Sequence, residues 1–459
     1  MRSNSLWTKD VQSLLHPYTN LAQHEKNGPL VISRGRGAKV YDEAGKDYIE
    51  GMAGLWSASL GFSEQRITAA IKKQLDELPF YHLFNSKAHA PGIELADRLK
   101  QMAPAPMARV FFGNSGSDAN DTAIKLVWYY NNAVGRPAKK KIISRHQAYH
   151  GITVAAGSLT GLPNNHRMFD LPIANILHTD SPHYYRFAGQ NETQEEFATQ
   201  LAANLENLVL EEGPETVAAF IAEPVMGAGG VIIPPATYFA KVQEVLRKYD
   251  VLLIADEVIC GFGRTGNMWG SQTYSMTPDI LTCAKALSAS YLPISATMIT
   301  DRIYRGLVEG SKVIGTFGHG YTYSGHPVCA AAAIATLDIY DEMDIVSVAR
   351  SASVRFLERL RAFATHPLVG EVRGVGLVGA IELTSSKVER RPFAAERAIG
   401  AAVVEAALAN GVVLRAMTND AISFCPPLVI SNAEIDEMFD RFGAALDSVA
   451  SREQLLDVA

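Results

Sequence analysis

Val251-Leu252-Leu253-Ile254-Ala255-Asp256-Glu257, followed by Gly261-Phe262-Gly263-Arg264-Thr265-Gly266, decides the fold. A continuous apolar run that stops on an acidic pair before a glycine-rich loop reads as a strand buried on both faces. Such a strand delivers its terminal carboxylate to the carboxyl edge of a parallel sheet, where ligands bind in open α/β folds. A second short run, Ile280-Leu281-Thr282-Cys283-Ala284, ends on Lys285, and the residues after it are small or hydroxylated: Ala286, Ser288, Ala289, Ser290. Two neighbouring strands are therefore expected to present an acid and a lysine to one site.

One chemistry needs both groups. A lysine amine holds an aldehyde as a Schiff base, and an acid opposite keeps a pyridine nitrogen protonated, which makes the ring an electron sink. The cofactor that requires this pair is pyridoxal phosphate. Either residue alone reads as readily as a surface lysine or an ordinary strand-end aspartate, so the reading depends on a phosphate site nearby. Upstream, the strand Arg109-Val110-Phe111-Phe112 breaks into Gly113-Asn114-Ser115-Gly116-Ser117-Asp118-Ala119-Asn120 and then a helix predicted over 121–131. The free N–H groups of a first helical turn, with the helix dipole and the Ser117 hydroxyl, suit a phosphate.

Further outward the pattern repeats. Lys141-Ile142-Ile143-Ser144 reads as a strand leading to Ala148-Tyr149-His150-Gly151, and Val217-Ala218-Ala219-Phe220-Ile221-Ala222 ends on Glu223 before Gly227-Ala228-Gly229-Gly230. Between them, 161–192 is expected to be a long polar loop, and Phe197, Leu201, Leu205 and Leu208 mark an amphipathic helix. Strands alternating with helices indicate an open, mostly parallel sheet with the site along its carboxyl edge. The glycine-rich aromatic stretch from Gly315 to Pro327 is expected to be a functional loop before a helix from Val328 to about Tyr340.

The N-terminal 35 residues show no sustained period and read as an arm, with Trp7, His16 and Tyr18 as aromatic interruptions. Val40-Tyr41-Asp42 and Tyr48-Ile49-Glu50 flank a turn and predict a hairpin, which leads to Gly51-Met52-Ala53-Gly54-Leu55-Trp56. Trp56 by itself reads first as a core anchor and second as a pocket wall. From about 345 a smaller α+β unit follows, with a basic helix to Phe363 and another near 393–409. Gly374-Val375-Gly376-Leu377-Val378-Gly379 matches a dinucleotide fingerprint but continues into a strand, Ala380-Ile381-Glu382-Leu383, so that reading fails its context. Val412-Val413-Leu414 places Arg415 at a strand end, and Ser431 to Glu434 forms a capping box for the last helix.

Composition bounds the rest. The chain has 459 residues, 47% of them hydrophobic, enough for two or three cores of a soluble globular protein. Its 42 basic and 48 acidic side chains are spread without a basic stripe, which argues against nucleic acid. Cys260, Cys283, Cys329 and Cys425 are widely separated, so neither a disulfide framework nor a metal site is expected. The first ten residues lack a signal core and no apolar run approaches the ~18 residues of a membrane span, so a cytoplasmic protein without membrane contact is expected.

These motifs together resemble those of the class III, fold-type I aminotransferases, and most closely the bacterial ω-amine:pyruvate transaminases. The resemblance runs nearly end to end and rests on the Gly51–Trp56, Asn114–Ser117, Ala148–Gly151, Ala255–Gly266, Ala284-Lys285 and Tyr321–Pro327 stretches. It implies a large domain with a mostly parallel sheet over 61–340, a smaller α+β domain over 341–459, and an N-terminal arm and hairpin, 1–60, belonging to the small domain. It also implies pyridoxal 5′-phosphate as cofactor, with Lys285 as Schiff-base lysine and proton carrier and Asp256 on the pyridine nitrogen. Gly116, Ser117 and a partner subunit's copy of Thr322 are implied at the phosphate, Tyr149 on the ring face, Glu223 near the phenolic oxygen and Val258 among the cofactor contacts.

The substrate walls implied by the same resemblance are Tyr18, Trp56, Phe84 and Tyr149, with Arg415 as a mobile receptor for an acceptor carboxylate. The active unit is then a homodimer, with a tetramer left open, and the reaction a ping-pong transfer from a primary amine to pyruvate. Two departures bear on this: Asp118 stands where glutamate is common, and Asn85 follows Phe84 where a second bulky residue is frequent. The alternatives are a class III enzyme using 2-oxoglutarate, of the 4-aminobutyrate or ornithine type, and an aminomutase or decarboxylase on the same cofactor.

Overall fold

The computed structural model describes residues 5–452. Among them the first sheet opens with β1 (Ile32–Arg36), β2 (Lys39–Asp42) and β3 (Asp47–Glu50), an antiparallel meander. The expected hairpin forms because Asp42 Oδ1 accepts the N–H of both Ala44 and Lys46 at 2.9 Å, folding the turn around one carboxylate. Ahead of it, the arm contains two short helices, Leu6–Ser13 and Leu21–Asn27, capped by the side chains of Ser5 and Asn20. Their shortness explains why no hydrophobic period is visible there: the caps and tertiary contacts define them.

The central sheet holds β4 (Arg109–Gly113), β5 (Lys141–Arg145), β6 (Ile176–Thr179), β7 (Val217–Ala222), β8 (Leu252–Asp256), β9 (Ile280–Cys283) and β10 (Ser295–Ile299) in the order β4-β10-β9-β8-β7-β5-β6. Only β10 runs antiparallel to its neighbours. Every residue of β7 and β8 is buried. Phe220 and Leu253 face the helices Gln194–Glu212 and Tyr238–Lys248, while Ala219, Ile221, Leu252 and Ile254 face the helix Gly116–Ala133. That double burial is why these strands read as unbroken apolar runs.

Three local expectations need correction. The segment 161–192 is not one loop: it contains β6, an edge strand whose mixed sequence Ile-Leu-His-Thr gives little periodic signal. The helix expected over 121–131 begins at Gly116, because Ser115 and Asp118 close a capping box ahead of it. The helix expected near 393 begins at Ile399, preceded by a single 3-10 turn.

The third sheet contains β11 (Val369–Val375), β12 (Val378–Leu383), β14 (Arg415–Ala416) and β15 (Ala421–Phe424), while β13 (Val412–Val413) instead pairs in parallel with β3 and closes the first sheet. The Gly374–Gly379 motif is the β11–β12 hairpin. Its Gly376 has φ +57°, and a Cβ there would lie 2.3 Å from the carbonyl oxygen of Arg264, so a side chain at this position would hold the hairpin off the glycine loop after β8. Buried Arg264 completes that docking by donating to the carbonyls of Leu377 (2.9 Å) and Pro426 (2.6 Å).

Glu50 ends β3 and is buried beneath the Gly51–Trp56 turn. Burial pushes its carboxyl up to about 7, against the opposing hydrogen bonds from the N–H groups of Met52 and Gly54. A carboxyl raised in the folded state loses stability as pH climbs from its ordinary value through the raised one. Glu50→Gln is therefore expected to stabilise the protein at pH 8 by roughly 3 kcal/mol, read as a higher urea midpoint, and to leave the midpoint unchanged near pH 4. A parallel shift at both pH values would contradict this.

Candidate active site

The carboxyl ends of β4, β5, β7, β8 and β9 and the amino end of β10 open onto one cavity of about 430 Å³. On the β4 side its wall is the turn Ser115-Gly116-Ser117. Ser115 Oγ accepts the N–H of Asp118 at 3.2 Å, and the Asp118 carboxylate answers with Ser115 N (3.0 Å), Asn114 N (2.8 Å) and Ser295 Oγ (2.9 Å). Asp118 thus closes the loop on itself. Ser117 Oγ accepts the N–H of Ile152 at 3.1 Å, which leaves its hydroxyl proton free to donate. Gly116 and Gly151 let this turn pack tightly: a Cβ on Gly116 would come within 2.9 Å of Val258 Cγ1, and one on Gly151, at φ +139°, within 2.5 Å of Ser117 Oγ.

Asp256 ends β8, 3% exposed, and its charge is satisfied by three donors. Val258 N–H donates to Oδ1 at 3.1 Å, while Asn120 Nδ2 (2.8 Å) and His150 Nδ1 (2.7 Å) bond Oδ2. Asn120 is itself oriented by Thr282 Oγ1, which donates to its Oδ1 at 2.8 Å, and it also reaches the His150 carbonyl at 2.7 Å. Glu223 follows β7 directly and is buried, accepting the N–H groups of Tyr149 and Gly227, both at 3.0 Å. Desolvation pushes its carboxyl above the usual range, with the charge of His150 opposing.

Lys285 follows β9 with its backbone in the left-handed region, φ +46°, at a strain cost of about 1–3 kcal/mol. Its amine is drawn down by burial, opposed by the carboxylates of Asp256 and Glu223, and among the described residues it has no hydrogen-bond or ion-pair partner. A buried amine without a partner, a buried acid with a fixed orientation and a helix N-terminus with a free hydroxyl surround one space. These features fit a phosphorylated pyridine aldehyde: an amine for the aldehyde, an acid for the ring nitrogen and N–H groups for the phosphate.

The structure brings Gly116, Ser117, Tyr149, Glu223, Asp256, Val258 and Lys285 to the cavity. Tyr18 and Arg415 sit beside Tyr149: Arg415 lies 5.5 Å from the Tyr18 ring centroid, and Asn165 Nδ2 donates to the Tyr18 hydroxyl at 2.6 Å. Burial raises the Tyr149 phenol well above its ordinary range, and the neighbouring Tyr18 adds to that while Arg415 opposes it. Trp56 is not a cavity wall in this chain; it is 3% exposed in an apolar cluster with Met52, Val225 and Ile259, and Leu55 and Ser57 line the space instead. The Trp56 backbone lies in the left-handed region, φ +65°.

Phe84 and Thr322 are also outside the cavity, exposed on a neighbouring surface where Phe84 packs on Gly320. Asn120, His150 and Thr282 were not singled out from sequence. Asn120 carried a signal, since it lies on the buried stripe of its helix with Ala123, Ile124 and Val127, where an amide must find partners.

A mostly parallel sheet that converges a lysine, two acids and a phosphate turn on one edge defines a pyridoxal-phosphate enzyme of fold type I. The chain belongs to the class III aminotransferases, whose family profile matches residues 20–446. It is 50% identical over 444 residues to gamma aminobutyrate transaminase 3, chloroplastic, of Solanum lycopersicum, covering 96% of this chain and 85% of that one. Vanillin aminotransferase of Capsicum chinense is 50% identical over 444 residues, with 96% of each chain covered.

Among solved structures, the ω-transaminase of Pseudomonas jessenii in complex with PMP superposes with a TM-score of 0.96 at 53% identity, covering 98% of this chain and 99% of that one. A thermostable ω-transaminase variant substituted at a tryptophan, a phenylalanine and an arginine, engineered for synthesis of bulky amines, has the same score and identity over 97% and 99%. A transaminase with L-alanine is 54% identical with a TM-score of 0.91, over 92% and 100%. The protein is therefore a pyridoxal-phosphate-dependent aminotransferase, which needs an amine donor and a keto-acid acceptor. Among the described residues no helix is long and apolar enough to cross a membrane.

Gly151→Ala is expected to displace Ser117 and to weaken retention of pyridoxal phosphate about ten- to a hundredfold, the equivalent of a 1–3 kcal/mol overpacking cost. Reconstitution of the cofactor-free protein, followed by absorbance, measures this; unaltered retention would remove the role given to the Gly151–Ser117 contact.

Proposed function

We propose that the protein transfers an amino group from a primary amine, with no obligatory α-carboxylate, to pyruvate, which leaves as alanine. The observation that carries this is Arg415. It stands beside the cavity at Tyr149, half-buried against the Tyr18 ring, and among the described residues no carboxylate pairs with it. A guanidinium in that state suits one incoming carboxylate, which it binds with two parallel hydrogen bonds. Among the described residues that line the cavity from this copy, Lys285 is the one lysine or arginine, so this copy offers no further cation to a second acceptor carboxylate, as in 2-oxoglutarate.

Three resemblances support the reading. A neighbouring structure was solved with L-alanine, and one relative is named for vanillin, an uncharged aromatic aldehyde. The tryptophan, phenylalanine and arginine altered in the engineered variant have the same mutual spacings as Trp56, Phe84 and Arg415 here, which supports these three as shapers of an amine pocket. Trp56 would act from behind Leu55 and Ser57. Phe84 and Thr322 share an exposed surface outside their own cavity, and we assign them to the cavity of a second copy, which makes the active unit a homodimer.

When bound, the cofactor supplies an aldehyde that captures the amine and a protonated ring that takes up the electron pair left by the departing proton. Asp256 would hold the proton on the ring nitrogen, its orientation fixed by Asn120, His150 and Val258. Lys285 Nζ would take the proton from the donor carbon and deliver it to the cofactor's aldehyde carbon, a task suited to an amine whose protonated form burial disfavours. Gly116 and Ser117 would anchor the phosphate, Tyr149 would cover the ring face, and Glu223 would face the ring's phenolic side.

A second reading, 4-aminobutyrate as donor, is favoured by the 50% identity to the tomato enzyme named for it. The half-reaction separates the two. The yellow pyridoxal form, freed of keto acid, is mixed separately with 1-phenylethylamine, alanine, 4-aminobutyrate and glutamate, and loss of its absorbance is followed. Bleaching by alanine and 1-phenylethylamine but not by glutamate is expected; bleaching by 4-aminobutyrate and glutamate alone would replace the pyruvate reading. Lys285→Ala is expected to cost at least about a thousandfold in turnover, within the usual range for removing a proton-transfer group. Appreciable turnover without added amines would refute the role of Lys285.

A further inference from the structure

We propose that Asp10, His16 and His24, in the N-terminal arm, form a site for a divalent metal of the Zn²⁺ class. Asp10 lies on the helix Leu6–Ser13, His24 on the helix Leu21–Asn27, and His16 in the segment between them. His16 Nε2 is 2.8 and 3.0 Å from the two Asp10 carboxylate oxygens, and His24 Nε2 is 2.9 Å from Oδ1. The two imidazole centroids are 4.2 Å apart, and one ligand atom of each residue falls within 4.8 Å of the others. Their side chains are 16, 25 and 9% exposed for Asp10, His16 and His24, so the group is sheltered but reachable.

Two imidazole nitrogens and a carboxylate oxygen make a ligand set that zinc takes at about 2.0–2.2 Å, with an open fourth position for water. Neighbouring ligand atoms in a tetrahedral site are then roughly 3.3 Å apart. The two imidazole–carboxylate spacings here are a few tenths of an ångström shorter, as hydrogen bonds are, so modest ring shifts would admit the ion in place of the shared protons. The two helices are already held together by Trp7 Nε1, which donates to the Asn27 carbonyl at 3.2 Å. Two residues beyond His16 stands Tyr18, so a metal at this point would clasp the arm beside the cavity mouth.

A second group of similar composition shows what excludes a metal. His183, Glu371 and Glu382 also converge, but Arg186 and Arg373 pair with Glu382, and Arg373 also pairs with Glu371. Those guanidinium groups supply the positive charge that an ion would bring. Among the described residues no lysine or arginine pairs with Asp10.

Metal content of the cofactor-loaded enzyme tests the proposal. The protein is stripped with a chelator, dialysed against Zn²⁺, and assayed for zinc by atomic emission, with Co²⁺ substituted in parallel to read its visible d–d bands. One equivalent per chain is expected, with cobalt bands of low-symmetry four- or five-coordination. Asp10→Asn, His16→Gln and His24→Gln should each weaken zinc uptake at least about tenfold, no less than the loss of an outer-sphere partner, while cofactor absorbance is unchanged. No zinc uptake by the unmodified enzyme, or equal uptake by all variants, overturns the site. Should one variant fail to fold, the other two and the cobalt spectrum of the unmodified enzyme decide it: absent bands overturn the proposal.

Discussion

A carboxylate held inside the protein constrains much of what surrounds it. Asp256 sits at the end of a strand buried on both faces, where an ion without partners would cost several kcal/mol. The fold meets that cost with donors from three places: the next turn through Val258, the phosphate-side helix through Asn120 and the β5 loop through His150. Each donor is fixed in turn, Asn120 by Thr282 and His150 by the hydroxyl of Thr160, which accepts its N–H at 3.0 Å. The proposed proton holder is thus positioned by the same contacts that make its burial tolerable. Acid, helix start and tyrosine loop cannot move independently.

The second constraint is the docking of the C-terminal sheet onto the glycine loops. Arg264 reaches from the loop after β8 to the carbonyls of Leu377 and Pro426, and Arg373 reaches from β11 to the carbonyls of Gly230 and Val231. Both arginines are buried, and both donate to loop carbonyl oxygens that lie outside the strands. Through Gly227 and Glu223 the latter contact extends to the cavity floor. Arg415, carried on β14 of the same sheet, is therefore placed relative to Tyr149 by contacts made far from it.

The cavity is polar at its base and aromatic at its rim. Asp256, Glu223 and Lys285 lie deep, while Tyr149, Tyr18 and Arg415 gather on one side, tied by the Asn165–Tyr18 hydrogen bond. The arm that brings Tyr18 is short and held by few contacts, so its rigidity depends on local devices: two helix caps, the Trp7–Asn27 bond and the Asp10–His16–His24 group.

The sequence by itself determined the parts whose signal is local. Buried strands show as apolar runs, so β7, β8 and β9 and their terminal Glu223, Asp256 and Lys285 were legible, as was the turn at Ser115–Ser117 from its capping and glycine pattern. Composition and period could not show β6 or β10, whose mixed residues become strands only by pairing with β5, β4 and β9. Nor could they show that Asn120 and Thr282 orient Asp256, or that two histidines meet one aspartate in the arm. Those facts depend on which distant side chains share a few ångströms, a quantity set by the packing of whole elements and not by any spacing along the chain.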